Sequence, residues 1–214
     1  MAGRSVLSDG RLALALGDIS GKGISAALLM ASLRASLRSI AGLQLGDLES
    51  IIRHVNNLVY ESSTTNRYAT FFYAEYNPFT NLLTYVNAGH NPPYILRGDQ
   101  AISLEATGTV IGLLPDAEYA QATIPMHRGD VLLAFTDGIS EAMNHNDDEW
   151  GEERMIACAQ KLLAQPGCVM TAQQLLNCIL ETADKFTAGA PQHDDMTLLV
   201  CTVGNPFALN QETV

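Results

Sequence analysis

Between Tyr68 and Thr136 the chain is cut into short runs rich in aromatic, β-branched and apolar residues: Tyr68–Tyr76, Leu82–Asn87, Tyr94–Arg97, Ile102–Leu104, Ala117–Ile124 and Val131–Thr136. Asn77-Pro78, Gly89 with Pro92-Pro93, Gly98-Asp99 and Arg128-Gly129-Asp130 punctuate them as turns. A parallel pair needs a crossover of about a dozen residues or more, so connections this short impose antiparallel pairing. Two further strands fit the same texture: Arg11–Leu16, after the Asp9-Gly10 turn, and Met196–Val203 near the other end.

The segments flanking this β region have a helical period. In Ser25–Ile40, Met30, Leu33, Leu37 and Ile40 share one stripe while Arg34 and Arg38 lie on another. In Asp47–Ser62 the inner face is Leu48, Ile51, Ile52, Val55 and Val59. Two more helices are predicted near Glu149–Ala164 and Thr171–Phe186, the second opened by a capping box in which Thr171 faces Gln174. None is apolar all round, so each covers a sheet. The pattern predicts an α+β fold: a two-sheet antiparallel core with helices outside. One domain spans 11–203, with an N-terminal remnant at 1–10 and a tail at 204–214. Few residues precede Asp9-Gly10, so most of the hairpin partner of Arg11–Leu16 is expected to be missing. An open strand edge of that kind is a template for a second copy, which makes a homodimer a candidate assembly.

A formal net charge of −11 argues against nucleic acid and anionic membrane as partners, because both select a basic footprint. No apolar stretch approaches the roughly 18 residues of a membrane span. The opening MAGRSVLSDG has no apolar signal-peptide core, so the reading places the domain in the cytoplasm. Cys158, Cys168, Cys178 and Cys201 form no C-x-x-C and no zinc spacing; buried, reduced thiols are expected.

The chemistry-bearing residues are aspartates at strand ends. Asp18 follows Leu12–Leu16, Asp137 follows Val131–Thr136, and Asp194 and Asp195 precede Met196–Val203. If the first two strands run one way and the last runs the other, these positions share one edge. Converging carboxylates are costly unless a cation lies among them, and an all-oxygen donor set suits Mg²⁺ or Mn²⁺. Each Asp also has an ordinary reading: Asp18 in a loop, Asp137-Gly138 as a turn, Asp194 solvating a strand start. The stretch Leu12–Met30, "LALALGDISGKGISAALLM", imitates a strand, phosphate loop and helix. Yet only three residues separate Gly17 from Gly21, and Gly23 follows Lys22 where a P-loop needs Ser or Thr. The antiparallel texture is also wrong for a P-loop sheet. On this reading the loop works through Asp18, its glycines let the backbone pass close to a metal, and Lys22 is exposed.

The segments "GDISGKGISAALLM", "TFFYAEYNPFTNLLTYVNAGHNPPYIL", "GTVIGLLPDAEY", "RGDVLLAFTDGISEAMN" and "HDDMTLLVC" occur in that order. Together they resemble the bacterial SpoIIE/RsbU group of type 2C (PPM) metal-dependent serine/threonine phosphatases, from about Arg11 to Thr202. The resemblance implies a β-sandwich flanked by helices on both sides and two Mn²⁺ or Mg²⁺ ions at one edge. It implies that Asp18 bridges the ions and the Ile19 carbonyl binds one. Asp137 and Asp194, with Asp195 as the alternative to Asp194, would bind the other. Asp18, Asp137 and Asp194 would then be the catalytic carboxylates, with Gly17, Gly21 and Gly138 shaping the site. His90, in "AGHNPP", falls in a structural turn, and His193 beside Asp194 packs near the metal edge. His54, His127 and His145 read as surface or structural residues.

The function so implied is hydrolysis of phosphoserine or phosphothreonine by a water that two metals activate. The phosphoprotein would be a phosphorylated anti-sigma-factor antagonist of the STAS type. One departure stands against it. The family carries a G-G-D-Y-Y-D-like motif upstream of "RLALALGD", where this chain has "MAGRSVLS". The alternative is therefore a catalytically weak phosphatase fold that binds or regulates a partner.

Overall fold

The computed structural model describes residues 2–21, 23–42, 47–62, 67–165 and 170–204. Lys22, Cys168 and nearly all of the expected tail lie outside the described residues, as do the side chains of Arg38 and Ile40. The chain divides into two compact units, residues 1–92 with 105–125, and residues 93–104 with 126–214.

The first unit is built on a five-stranded sheet of order β1-β2-β3-β4-β7, comprising β1 (Ala2–Val6), β2 (Leu12–Ile19), β3 (Ala69–Asn77), β4 (Leu82–Ala88) and β7 (Ala122–Pro125). Every neighbouring pair is antiparallel. The helices α1 (Ile24–Gly42) and α2 (Leu48–Ser62) lie against one face. There Ala13, Ala15, Phe71, Tyr73, Val86 and Ala88 pack with Leu29, Leu33, Leu37, Ile51, Ile52, Val55 and Val59. The opposite face, which includes Leu14, Leu16, Phe72 and Leu83, is buried as well. Burial on both faces explains why β2 reads as a continuous apolar run rather than an alternation.

Helix α2 forms where its pattern predicts. Asp47 caps it, its Oδ1 accepting from the Ser50 backbone N–H at 2.8 Å; that bond holds the Asp47 carboxyl below its usual range. Its buried Asn56 binds the 112–114 loop: Oδ1 accepts from Gly112 N at 2.8 Å and Tyr119 Oη at 3.1 Å, and Nδ2 donates to the Leu114 carbonyl at 2.9 Å.

The second unit holds a four-stranded antiparallel sheet of order β6-β5-β8-β9, made of β5 (Tyr94–Arg97), β6 (Gln100–Ser103), β8 (Val131–Phe135) and β9 (Leu198–Thr202). Its helices are α3 (Asp137–Ser140), α4 (Glu152–Leu163) and α5 (Ala172–Thr187). Leu96, Leu133 and Phe135 pack with Ile139, Met155, Ala159, Leu175 and Ile179. The Thr171–Gln174 capping box is present at the start of α5. Turn residue Asp130 is 2% exposed and pairs with Arg97 at 2.7 Å.

Four expectations need correction. The Asp9-Gly10 turn closes a hairpin in which Ala2–Val6 pair with all of Leu12–Leu16, so the partner strand is longer than expected. The run Ala117–Ile124 becomes a strand only at Ala122, because Tyr119 makes an isolated bridge to Gly108 instead. Asp137-Gly138 opens a short helix rather than a turn. The described thiols, Cys158, Cys178 and Cys201, are half-buried, not fully buried.

Candidate active site

The second unit brings two of the expected aspartate segments together. Strands β8 and β9 are antiparallel with Phe135 opposite Leu198, so the chain leaves β8 where it arrives at β9. The next residue, Thr136, 2% exposed, ties the segments three times. Its N–H donates to the Thr197 carbonyl at 3.0 Å. Its hydroxyl donates to the Asp195 carbonyl at 3.0 Å and accepts from the Thr197 N–H at 2.9 Å. Gly138 seals the same seam: a Cβ there would lie 2.6 Å from the Asp195 carbonyl oxygen and 3.2 Å from the Asp194 carbonyl carbon. Asp137 and Asp194 are thereby held on neighbouring stretches of backbone.

Each carboxylate is also oriented locally. Asp137 Oδ1 accepts from the Gly138 N–H at 2.8 Å, and Asp194 Oδ1 accepts from the Asp195 N–H at 2.8 Å. Asp137 is half-buried, while Asp194, Asp195 and His193 are exposed. One helical turn past Asp137, Glu141 is exposed. Partial desolvation, then the negative charges of Asp137, Glu149 and Asp194, hold its carboxyl above the ordinary range. Anionic fields therefore overlap at this edge. Oxygen donors in a negative field fit a hard divalent cation, and among the described residues no thiolate or imidazole set competes. Among the described residues no group of three metal-capable side chains is close enough to hold an ion by itself.

Asp18 and Ile19 belong to the first unit. Asp18 is half-buried inside β2 rather than beyond it, directly opposite Thr70 of β3. The strand outruns its apolar stretch because β3 continues pairing through Ile19 opposite Ala69. Both neighbours of β2 are antiparallel, which removes the P-loop reading. Thr70 Oγ1 lies 2.9 Å from His90 Nδ1. Asn87 clasps the His90 backbone, accepting from its N–H at 2.8 Å and donating to its carbonyl at 3.1 Å. His90, 3% exposed, is thus a buried strut of the "AGHNPP" turn, as the motif suggests. His54, His127 and His145 are exposed.

The close packing at the glycines comes from protein neighbours. Gly17 abuts the Phe71 ring, Gly138 abuts the Asp194-Asp195 backbone, and Gly21 makes room for Arg67. Thr136, Glu141 and Arg67 were not singled out in the sequence. A Thr ending a strand before Asp, and a carboxylate four residues beyond that Asp, are the signals that carried the first two.

Comparison with known proteins bears on these features. The family model described as Stage II sporulation protein E (SpoIIE) matches residues 8–204. Phosphoserine phosphatase RsbU of Bacillus subtilis (strain 168) is 30% identical over 189 residues, covering 87% of this chain. The chain spans 54% of the length of that relative. The structure of the PP2C phosphatase domain and a fragment of the regulatory domain of the cell fate determinant SpoIIE from Bacillus subtilis superposes with a TM-score of 0.79 at 22% identity, over 95% of this chain and 56% of that one. RsbX in complex with magnesium superposes with a TM-score of 0.65 at 18% identity, over 94% of this chain and 84% of that one.

Proposed function

The chain belongs to the SpoIIE family, the SpoIIE/RsbU branch of type 2C metal-dependent phosphatases, and from that premise we propose that it hydrolyses phosphoserine or phosphothreonine in a phosphoprotein. The observation that carries the reading is the Thr136 staple, which sets Asp137 beside Asp194. We assign Asp18, the Ile19 carbonyl, Asp137 and Asp194 to the binding of two Mn²⁺ or Mg²⁺ ions, with Asp195 as the alternative to Asp194. When bound, such ions supply charge neutralisation at the phosphoryl oxygens and a water acidified toward neutral pH.

The protein's own share is orientation. The Gly138 and Asp195 N–H groups fix the planes of the Asp137 and Asp194 carboxylates, so little rearrangement is needed on loading. No cysteine stands in a Cys-x₅-Arg phosphatase loop, so attack by water rather than thiolate is the route that fits. His193, exposed next to Asp194, is assigned to packing at the metal edge, with donation to a phosphate oxygen or to water as the alternative. Family membership supports a phosphorylated STAS-type anti-sigma antagonist as the substrate. A cytoplasmic setting agrees with that role; among the described residues no helix is long and apolar enough to cross a membrane.

The test is dephosphorylation of a phosphoserine protein with Mn²⁺ or Mg²⁺, after EDTA, and after restoring the ion. Loss on chelation and recovery on reloading are expected. Undiminished activity after metal stripping overturns the assignment. A second reading, a regulatory or protein-binding domain with little turnover, draws on the lack of any three-residue metal cluster among the described residues. Absence of Mn²⁺-dependent turnover of both the phosphoprotein and p-nitrophenyl phosphate would favour it.

A further inference from the structure

The segment Ser20–Gly21 directly follows Asp18 and Ile19, and Arg67, just before β3, grips it. The guanidinium Nη1 donates to the Ser20 carbonyl at 3.0 Å. The next residue, Tyr68, completes the grip: its N–H donates to Ser20 Oγ at 3.1 Å, and its carbonyl accepts from the Ser20 N–H at 2.9 Å. Gly21 is shaped to the same group. A Cβ at Gly21 would fall 2.6 Å from Arg67 Nη1, and φ is +85°. The notch left by the missing side chain is therefore occupied by the guanidinium, and Arg67 itself is half-buried. On its other side the Arg67 carbonyl lies 3.4 Å from the corresponding point on Gly112, in the loop that Asn56 holds.

We propose that Arg67 is a positioning residue for the Asp18–Ile19 segment, setting where its carboxylate and carbonyl oxygens stand for a divalent cation. This rests on the reading of Asp18 and Ile19 as cation donors. The physical case is leverage. A backbone carbonyl is a useful ligand only if its peptide plane is fixed; the far end of the Ile19–Ser20 peptide, the Ser20 N–H, is held by the Tyr68 carbonyl, and Arg67 fixes the next peptide through the Ser20 carbonyl, so that the segment cannot swing about Ser20. A planar guanidinium suits the task because its donors point in set directions, whereas a lysine ammonium on a flexible stem fixes a point charge but no plane. Partners of metal ligands typically account for about 10–100-fold in metal affinity.

The experiment is Mn²⁺ binding to the full chain, read from the electron paramagnetic resonance of free Mn²⁺, for wild type, Arg67→Lys and Arg67→Ala. The melting temperature of the metal-free protein and the hydrolysis of p-nitrophenyl phosphate are read alongside. Arg67→Ala is expected to weaken Mn²⁺ binding by about 10–100-fold, with kcat recovering as Mn²⁺ is raised to saturation. Arg67→Lys should recover only part of the affinity. Gly21→Ala should weaken binding in the wild-type background and do less in Arg67→Ala, because the clash with the guanidinium is then gone. Unchanged Mn²⁺ binding in Arg67→Ala, full rescue by lysine, additive effects of Gly21→Ala, or a wild type that binds no Mn²⁺ each overturn the proposal. If wild type binds Mn²⁺ and Arg67→Ala weakens it, yet nothing is hydrolysed, the phosphatase reading fails and the role of Arg67 stands.

Discussion

Replacing Gly138 by alanine adds one methyl group at the seam between β8 and β9. Gly138 is in the helical α3 and carries no positive φ, so alanine meets no backbone penalty and its effect is steric alone. The new Cβ would sit 2.6 Å from the Asp195 carbonyl oxygen, 2.9 Å from its carbon and 3.2 Å from the Asp194 carbonyl carbon. Ordinary contact begins near 3.4 Å, so the segments must part by about 0.8 Å. All three obstacles are backbone, so no side chain can swing aside. The oxygen to be displaced is the one the Thr136 hydroxyl holds at 3.0 Å.

Overpacking of this kind costs about 1–3 kcal/mol. At roughly 2–4 °C per kcal/mol for a chain of this size, melting should fall by about 2–12 °C. Turnover should suffer more. A misplacement near 1 Å is worth about a hundredfold in rate when it moves a reacting constellation, and here it moves Asp194 away from Asp137. The matched control is Gly3→Ala, where nothing lies within 4 Å of the added carbon. Thermal unfolding, Mn²⁺ affinity and phosphoserine hydrolysis would be measured on both. If Gly138→Ala matches Gly3→Ala in all three, the seam yields freely and the steric argument is wrong.

Asp18→Asn and Asp137→Asn should each reduce turnover by orders of magnitude while metal-free stability stays near wild type, because relieving carboxylate repulsion offsets lost contacts. By contrast, His90→Ala should lower the melting temperature by removing a buried partner of Thr70, about 1–3 kcal/mol, and retain more turnover than Asp18→Asn; the reverse ranking would reassign the site. Asn56→Ala should be among the most destabilising polar substitutions, since Gly112 N, Tyr119 Oη and the Leu114 carbonyl all lose a buried partner; urea unfolding should show a loss of about 2–4 kcal/mol. Burial pushes the Tyr119 hydroxyl up to about 12. The folded protein therefore holds that proton more tightly than the unfolded chain does. Its stabilising effect is complete below about pH 10 and is lost as pH rises toward 12, which a urea series at alkaline pH, compared with Tyr119→Phe, would reveal as a shallower decline in the variant.

How much of this was legible beforehand depends on what each feature needs. The antiparallel order was readable because turn residues cap every short run, and a four-residue loop such as 78–81, opened by Pro78, leaves the chain no other pairing. The α5 cap was readable because Thr171 and Gln174 act within one turn. The Asp137–Asp194 pairing was accessible through strand polarity alone, since an end and a start of antiparallel neighbours must share an edge. What escaped were interactions whose partners are distant in sequence and individually unremarkable. Thr136 is an ordinary strand residue until its hydroxyl reaches a carbonyl 59 residues away. Arg67 looks like a surface cation until Gly21, 46 positions earlier, leaves the notch it fills. The glycines in "GDISGKG" read as letting the backbone pass close to a metal, and a sequence shows a missing side chain but not which protein groups stand beside it; at Gly23 nothing lies within 4 Å. In this fold the occupants are a guanidinium at Gly21 and a phenyl ring at Gly17. On the proposed assignment the aspartates carry the oxygen donors, and other residues, Thr136 inside a motif and Arg67 outside the motifs, determine where those donors stand. A variant screen confined to the aspartates would therefore find the chemistry and miss the framework that holds it.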